Sequence, residues 1–406
     1  MKSTLLPFVI VGLQPWDTAI GSNCKNIAIE LAKRTKVLYI NIPLDWNTVI
    51  KNSDNNQSHI EFRKNVRKGK SNNLVEVQEN LFVFTPSSII LSINMFPPGA
   101  VYDYFNLRNN RKIAAEVKPV LKKLGFKEFY LFNDNDMFRS FYMKELLNPL
   151  LSIYYSRDNL ISTEYFKKHG TRIEPKLIEK SDLAAANSTY LKDYCKQYNP
   201  NSYYIGQGCD LTIFAPNKTY SLPKDMEGIT GPIIGYIGFL TSMRLDIELL
   251  ENLAETRTDW SIVLVGPEDG NFSQSRLHKM QNVHFLGSKK PEELSTYLNF
   301  FDVAINPQVV NDMTIGNYPR KVDEYLAMGK PVIATSTKAM SAFAAHCYLA
   351  NNADEYEKLI EKALSEDSNT KAEERMKFAN GHTWENSVGA LIYAIEKSQS
   401  IRKSKI

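Results

Sequence analysis

The sequence predicts an α/β protein of two doubly wound units, each a parallel sheet flanked by helices, on three observations. Short apolar runs alternate with amphipathic stretches from one end of the chain to the other, the pattern of strands joined by crossover helices. The 406 residues exceed what one ordinary core absorbs, so two domains of roughly 200 residues each are the natural division. Between the two runs of strands lies a connector, Pro200 to Pro232, rich in Pro, Gly, Asn and Ser.

In the first half the strands are PFVIVGL, VLYINIP, LFVFTP, EFYLFN, LLSIYYS and DLAAANS. They are continuously apolar rather than alternating, as strands buried on both faces are. SNCKNIAIELAKR forms a helix between the first two, capped by Ser22 or Asn23. In the second half PIIGYIGFL, WSIVLVGP, NVHFLG, DVAINP and GKPVIAT are strands, with RLDIELLENLAE, PEELSTYLNF and YPRKVDEYLAM as the helices between them. HTWENSVGALIYAIE closes the chain as an amphipathic helix. The expected division is an N-terminal domain over 1–215, a linker over 216–230, a C-terminal domain over 231–380, and a terminal helix and tail over 381–406.

Hydrophobic residues at 43%, charged residues at 23% and aromatic residues at 11% are the usage of a globular chain and exclude disorder. The opening MKSTLLPFVIVGL contains Pro7 and lacks a small-residue cleavage site, so it reads as the first buried strand and not as a signal peptide. No apolar run reaches the roughly 18 residues of a spanning helix. Cys24, Cys195, Cys209 and Cys347 have no CxxC spacing, which points to a reduced, cytoplasmic setting and away from a zinc site. Charge is unevenly spread: through Ala215 the chain has 28 Lys and Arg against 20 Asp and Glu, and beyond it 21 against 25. The excess concentrates in Phe62–Lys70 and in Arg108–Lys127, where Ile113, Val117, Val120, Leu121 and Leu124 recur at helical spacing. Such a surface suits peripheral contact with an anionic membrane at its inner face, or a solvated helix covering the core.

The richest segment is NYPRKVDEYLAMGKPVIAT, Asn317 to Thr335. Pro319 suits a first helical turn, Val322 and Leu326 form an i, i+4 apolar pair, and Gly329 stops the helix before Pro331 opens a strand. Arg320 and Lys321 then stand at a helix start whose free N–H groups favour an anion, and Glu324 lies one turn on, able to accept from ribose hydroxyls. A surface helix with a solvated Lys and Glu is the alternative. Gly238 follows a strand directly and Arg244 precedes a helix, an arrangement for approaching a phosphate or for an ordinary strand-to-helix turn. Gly266 and Gly287 end two further strands, where ligands of parallel sheets sit.

In the first half, Gly12, Trp16, Asp17 and Gly21 belong to the loop after the opening strand, without the GxGxxG spacing of a dinucleotide fingerprint. Trp16 and Asp17 read locally as a buried Trp and a capping Asp, held equally with the contact to a sugar or acceptor that the family resemblance given below implies for this loop. Asp158 follows a strand beside Arg157, so it is the candidate base for an acceptor hydroxyl, with helix capping as the other reading. Asp134 and Asp136 invite a metal, but a turn rich in Asn and Asp is commoner, and no metal is expected.

PRKVDEYLAMGKPVIAT resembles the nucleotide-binding segment of GT-B glycosyltransferases, the family 4-like group of bacterial cell-surface polysaccharide synthesis. GYIGFLTSMRLDIELL and YYIGQGCDLTIF are similar to two further segments of that family, in the expected order, and LLSIYYSRDNL resembles an element of related bacterial transferases. The resemblance implies two doubly wound domains facing a central cleft, with a nucleotide-sugar donor, UDP- or GDP-linked, on the C-terminal side. It places Lys321 and Arg244 on the diphosphate and Glu324 on the ribose, with Pro319 and Arg320 beside them. The acceptor is expected to be a carbohydrate or a lipid-linked precursor, the terminal helix to return to the first domain, and neither cofactor nor nucleic acid to be involved. Many relatives carry a second Glu eight positions before Glu324; here that position is Gly316, which leaves the contact to the transferred sugar and its stereochemistry unassigned. A nucleotide-sugar epimerase of the same fold and a non-catalytic nucleotide-sugar-binding protein stand as alternatives.

Overall fold

The computed structural model describes residues 5–18, 21–51, 57–216 and 218–403. The chain divides into two compact units, Met1–Gly206 with Ser387–Ile406, and Gln207–Asn386. Among the described residues the first unit has an eight-stranded sheet, ordered Ser202–Tyr204, Leu183–Ala186, Leu151–Ser156, Tyr130–Asp134, Phe8–Val11, Val37–Ile40, Leu81–Phe84 and Leu74–Gln78. All neighbouring pairs are parallel except the last. The antiparallel strand Leu74–Gln78 is absent from the sequence expectation because four of its five side chains are exposed, so it carries no apolar run. The second unit has six parallel strands, ordered Val283–Gly287, Ser261–Val265, Ile233–Ile237, Val303–Asn306, Val332–Thr335 and Tyr348–Ala350.

Strands such as Phe8–Val11 and Val332–Thr335 are buried along their whole length, which is why they read as unbroken apolar runs. Successive side chains still part to opposite faces. In the second unit Ile237, Val263, Val265 and Ala304 pack under the helix Arg320–Ala327 through Val322, Tyr325 and Leu326. Ile234, Ile262, Leu264 and Ile305 pack on the other face against Leu250 and Leu253 of the helix Ile247–Thr256.

The strand order reverses beside Phe8–Val11 in one sheet and beside Ile233–Ile237 in the other. At such a reversal the crossover helices leave to opposite faces and open a crevice at the carboxyl ends of the strands.

Two expectations need correction. The division falls at 206/207 and not at 215, because Leu211, Ile213 and Phe214 pack against the core of the second unit. The expected linker over 216–230 also belongs to that unit and contributes Met226, 1% exposed, to its core. Of the two readings of the basic segment 108–127, the helix covering the core is the one found: its apolar stripe lies in the helix Ala100–Leu124, and Ile113, Val117, Val120 and Leu121 are buried against Val9, Leu38 and Leu131. No helix of the described residues is long and apolar enough to cross a membrane.

Gly235, in the central strand of the second sheet, lies under the Phe301 ring, and a Cβ there would stand 2.1 Å from two ring carbons. Since Phe301 is 1% exposed and has no room to withdraw, Gly235→Ala is expected to destabilise the chain by about 1–3 kcal/mol. A urea midpoint unchanged from the native chain would show that the ring yields.

Candidate functional site

The helix Arg320–Ala327 begins one residue later than the sequence suggests: Pro319 is its N-cap, with no side chain to offer, and its carbonyl accepts from Val322 N at 2.8 Å. Gly329, at φ 71°, ends it in the left-handed conformation that glycine adopts without cost. The Lys321 side chain leaves the first turn and lies across Gly238, the residue after the central strand. A Cβ on Gly238 would stand 2.1 Å from Lys321 Cε and 2.7 Å from Nζ. Gly266, ending the neighbouring strand, is pressed against the Gly238 carbonyl, where a Cβ would be only 1.9 Å from the oxygen. Lys321 Nζ also stands 5.6 Å from the Tyr236 ring centroid, a loose cation–π distance. Gly238, Gly266 and Lys321 are thus brought together, two stretches of glycine backbone beside an ammonium group.

The Glu324 side chain is 15% exposed and receives Arg320 Nε at 3.3 Å. Burial raises its carboxyl above the ordinary glutamate range, against the opposing pull of Arg320 and Lys321. Arg244 lies exposed in the turn after the central strand, its carbonyl held by Val309 N at 2.9 Å. Gly287 closes the edge strand Val283–Gly287 with φ 67° and open space beside it.

Sequence reasoning missed the residue between these two groups. Asp323 is fully buried, and its carboxylate meets His382 Nδ1 at 2.6 Å and Cys209 Sγ at 3.1 Å. Tyr318 OH stands 3.2 Å from the same His382 nitrogen, and Cys209 N donates to the His382 carbonyl at 2.9 Å. Burial, and next the Asp323 charge, push the Cys209 thiol up, so it stays protonated and serves as a donor. The available signal was an acid in a helix whose buried positions include Val322, Asp323, Tyr325 and Leu326. Its partners lie 114 and 59 residues away, beyond any local pattern.

In the first unit, Asp134 ends its strand fully buried and accepts from Leu13 N at 3.2 Å and from Arg157 Nε at 2.8 Å. Arg157 Nη1 reaches on to Asp158 at 2.5 Å, and that carboxylate is 43% exposed. Asn135, at φ 55°, accepts from Arg157 N at 2.8 Å and sets the loop that presents Asp158. Asp136 is bound by Arg139 Nε at 2.5 Å, so both acids that invited a metal are engaged by arginines. Gly12 lies under the Tyr39 hydroxyl, and Trp16 meets the Tyr39 ring edge-on at 5.1 Å. Asp17 pairs with Arg63, of the basic stretch Phe62–Lys70, at 2.9 Å. Gly21 faces open space.

The raised Glu324 carboxyl has a pH signature. A carboxyl whose pKa is higher folded than unfolded favours the fold in acid, and that contribution is lost as pH rises through the folded value. Glu324→Gln, which cannot ionise, is therefore expected to gain melting temperature relative to the native chain as pH is raised from about 4 to about 8. Parallel melting curves across that range would sink the assignment.

Residues 231–366 match the family described as glycosyl transferases group 1. A Bacillus subtilis (strain 168) protein named as a teichuronic acid biosynthesis glycosyltransferase, TuaH, is 28% identical over 191 residues, 46% of this chain. The match spans about half the length of that curated relative, 48%. Sucrose-phosphate synthase from Thermosynechococcus elongatus superposes with a TM-score of 0.61 at 15% identity, over 98% of each chain. Anabaena Alr3699/HepE in complex with UDP gives 0.63 at 14% identity, over 97% of this chain and 100% of that one. An E. coli trehalose-6-phosphate structure bound with UDP-2-fluoro glucose gives 0.64 at 11% identity, over 95% and 98%. At these identities the structural likenesses establish the fold. The chain has the GT-B fold, and residues 231–366 of its second unit match the family described as glycosyl transferases group 1.

Proposed function

We propose that the chain is a glycosyltransferase that moves a sugar from a nucleotide diphosphate to a hydroxyl acceptor. The observation that carries this reading is Lys321 lying across Gly238, at the carboxyl end of the central strand and at the start of a helix. A diphosphate there meets an ammonium group, unshielded backbone and the positive end of a helix, all fixed before it arrives. As the glycosidic bond breaks, its electron pair goes to the diphosphate oxygen, and Lys321 and Arg244 take up the growing charge. Glu324, one turn further on, accepts from the ribose hydroxyls, with Pro319 and Arg320 opening the helix and Gly266 and Gly287 bordering the base. Solved structures of this fold hold UDP and UDP-glucose, which supports a nucleotide-sugar donor.

The first unit takes the acceptor. Asp158, exposed and oriented by Arg157, receives the proton of the attacking hydroxyl. The likeness to TuaH supports a precursor of a bacterial surface polysaccharide as the acceptor. Arg67, Lys68 and Lys70 remain exposed, which supports contact of this unit with an anionic membrane surface on the cytoplasmic side.

Lys321→Ala is expected to weaken UDP or GDP binding roughly 10- to 100-fold. Its stability should stay within about 1 kcal/mol of the native chain. Calorimetric titration with each nucleotide checks this, and an unchanged affinity removes Lys321 from the site. Asp158→Asn should leave nucleotide affinity intact and lower transfer by about 10²–10⁴-fold; full activity in a donor-turnover assay would exclude it as the base.

A further inference from the structure

In the strand Val303–Asn306, Val303 and Ile305 pack on the side of the helix Ile247–Thr256, and Ala304 packs under the helix Arg320–Ala327. Side chains alternate along a strand, so Asn306, its last residue, is on the same side as Ala304 and faces the helix that carries Lys321. Ala334, its partner in the next strand, belongs to that side too. On the other flank the register pairs Gly235 with Ala304, which sets Ile237 level with Asn306 and Gly238 one step beyond.

The residues level with Asn306 on this face are apolar or engaged. Ile237, Ala334 and Val322 offer no polar side chain, and the Tyr325 hydroxyl is held by the Ile237 backbone, accepting from its N–H at 2.9 Å and donating to its carbonyl at 3.2 Å. Asn306 is 5% exposed, and its Nδ2 is enclosed without a hydrogen-bond partner in the chain. Its carbonyl, by contrast, accepts from Tyr356 OH at 2.9 Å. A buried amide donor left unpaired costs the fold stability, and an apolar side chain of similar size would not. The loss is made good where a ligand completes the bond. The surroundings select that ligand: the Lys321 ammonium lies across Gly238, and the helix Arg320–Ala327 begins at the same strand ends, so an oxygen entering there belongs to an anion.

We infer that Asn306 Nδ2 donates a hydrogen bond to a diphosphate oxygen of the donor, beside Lys321. The inference rests on the nucleotide-diphosphate reading of this site. The segment 307–319 joins Asn306 to the helix, so the oxygen reaches Nδ2 by a shift of that segment, with the sheet unmoved. Asn306 then has opposite effects on the two states, weakening the empty fold and strengthening the occupied one.

The test is calorimetric titration of the full chain, of Asn306→Leu and of Asn306→Val with UDP, GDP and UDP-glucose, beside melting curves without nucleotide. Leucine keeps the approximate size of the amide, and valine guards against overpacking. At least one variant is expected to melt roughly 2–4 °C above the native chain, and both to bind the nucleoside diphosphate roughly tenfold more weakly. UDP and GDP affinities unchanged in both variants would overturn the inference. So would a lower melting temperature in both, which would mean that the amide is paired within the fold, or a loss confined to UDP-glucose, which would put the contact on the sugar. Lys321→Ala, titrated alongside, separates this contact from the site itself. If Lys321→Ala weakens UDP and the Asn306 variants do not, only the Asn306 contact fails; if none of them does, the donor site is misplaced and both readings fail.

Discussion

The second unit depends on one buried carboxylate. Asp323 is fully enclosed, and an enclosed carboxylate is tolerated only where hydrogen bonds replace its water. Cys209 and His382 supply them, one near the start of the unit and one near its end. Because their geometry admits little change, the helix Arg320–Ala327 has a fixed rotation about its axis. That rotation carries Lys321 over Gly238 and turns Glu324 into a half-buried position. The placement of Lys321 and Glu324, the residues proposed to hold the donor, is therefore a consequence of how the unit is fastened, with one on either side of the fastening residue.

The first unit solves a related problem with arginines. Its strand ends present Asp134 and Asp136 inside the fold, and each is met by a guanidinium that also reaches elsewhere. Arg157 joins buried Asp134 to exposed Asp158, and Arg139 joins Asp136 to the Leu13 carbonyl. The planar, multiply donating guanidinium suits this bridging as a lysine would not.

The glycosyl transferases group 1 match and the structural likenesses to GT-B proteins differ in how much of the chain they cover. The family match covers residues 231–366, where the motifs of the donor side lie. The structural likenesses extend over nearly the whole chain at 10–15% identity, because backbone topology outlasts sequence. The first unit therefore shares its architecture with proteins whose sequences have diverged widely.

Parallel strands buried on both faces were legible because burial forces an unbroken apolar run, and the glycines after them because a strand that ends at a ligand edge needs backbone without a side chain. Lys321 and Glu324 were legible for the same local reason, one helical turn apart on a helix with a clear stop. The sequence determined these features by itself, since each is set by neighbours within a few residues. Tertiary structure alone decided the Asp323 partnership, the engagement of Asp17 by Arg63, the exposed antiparallel strand Leu74–Gln78, and the division at 206/207. Each depends on residues far apart in the chain meeting at a distance of a few ångströms, or on side chains left in water. Neither leaves a periodic trace.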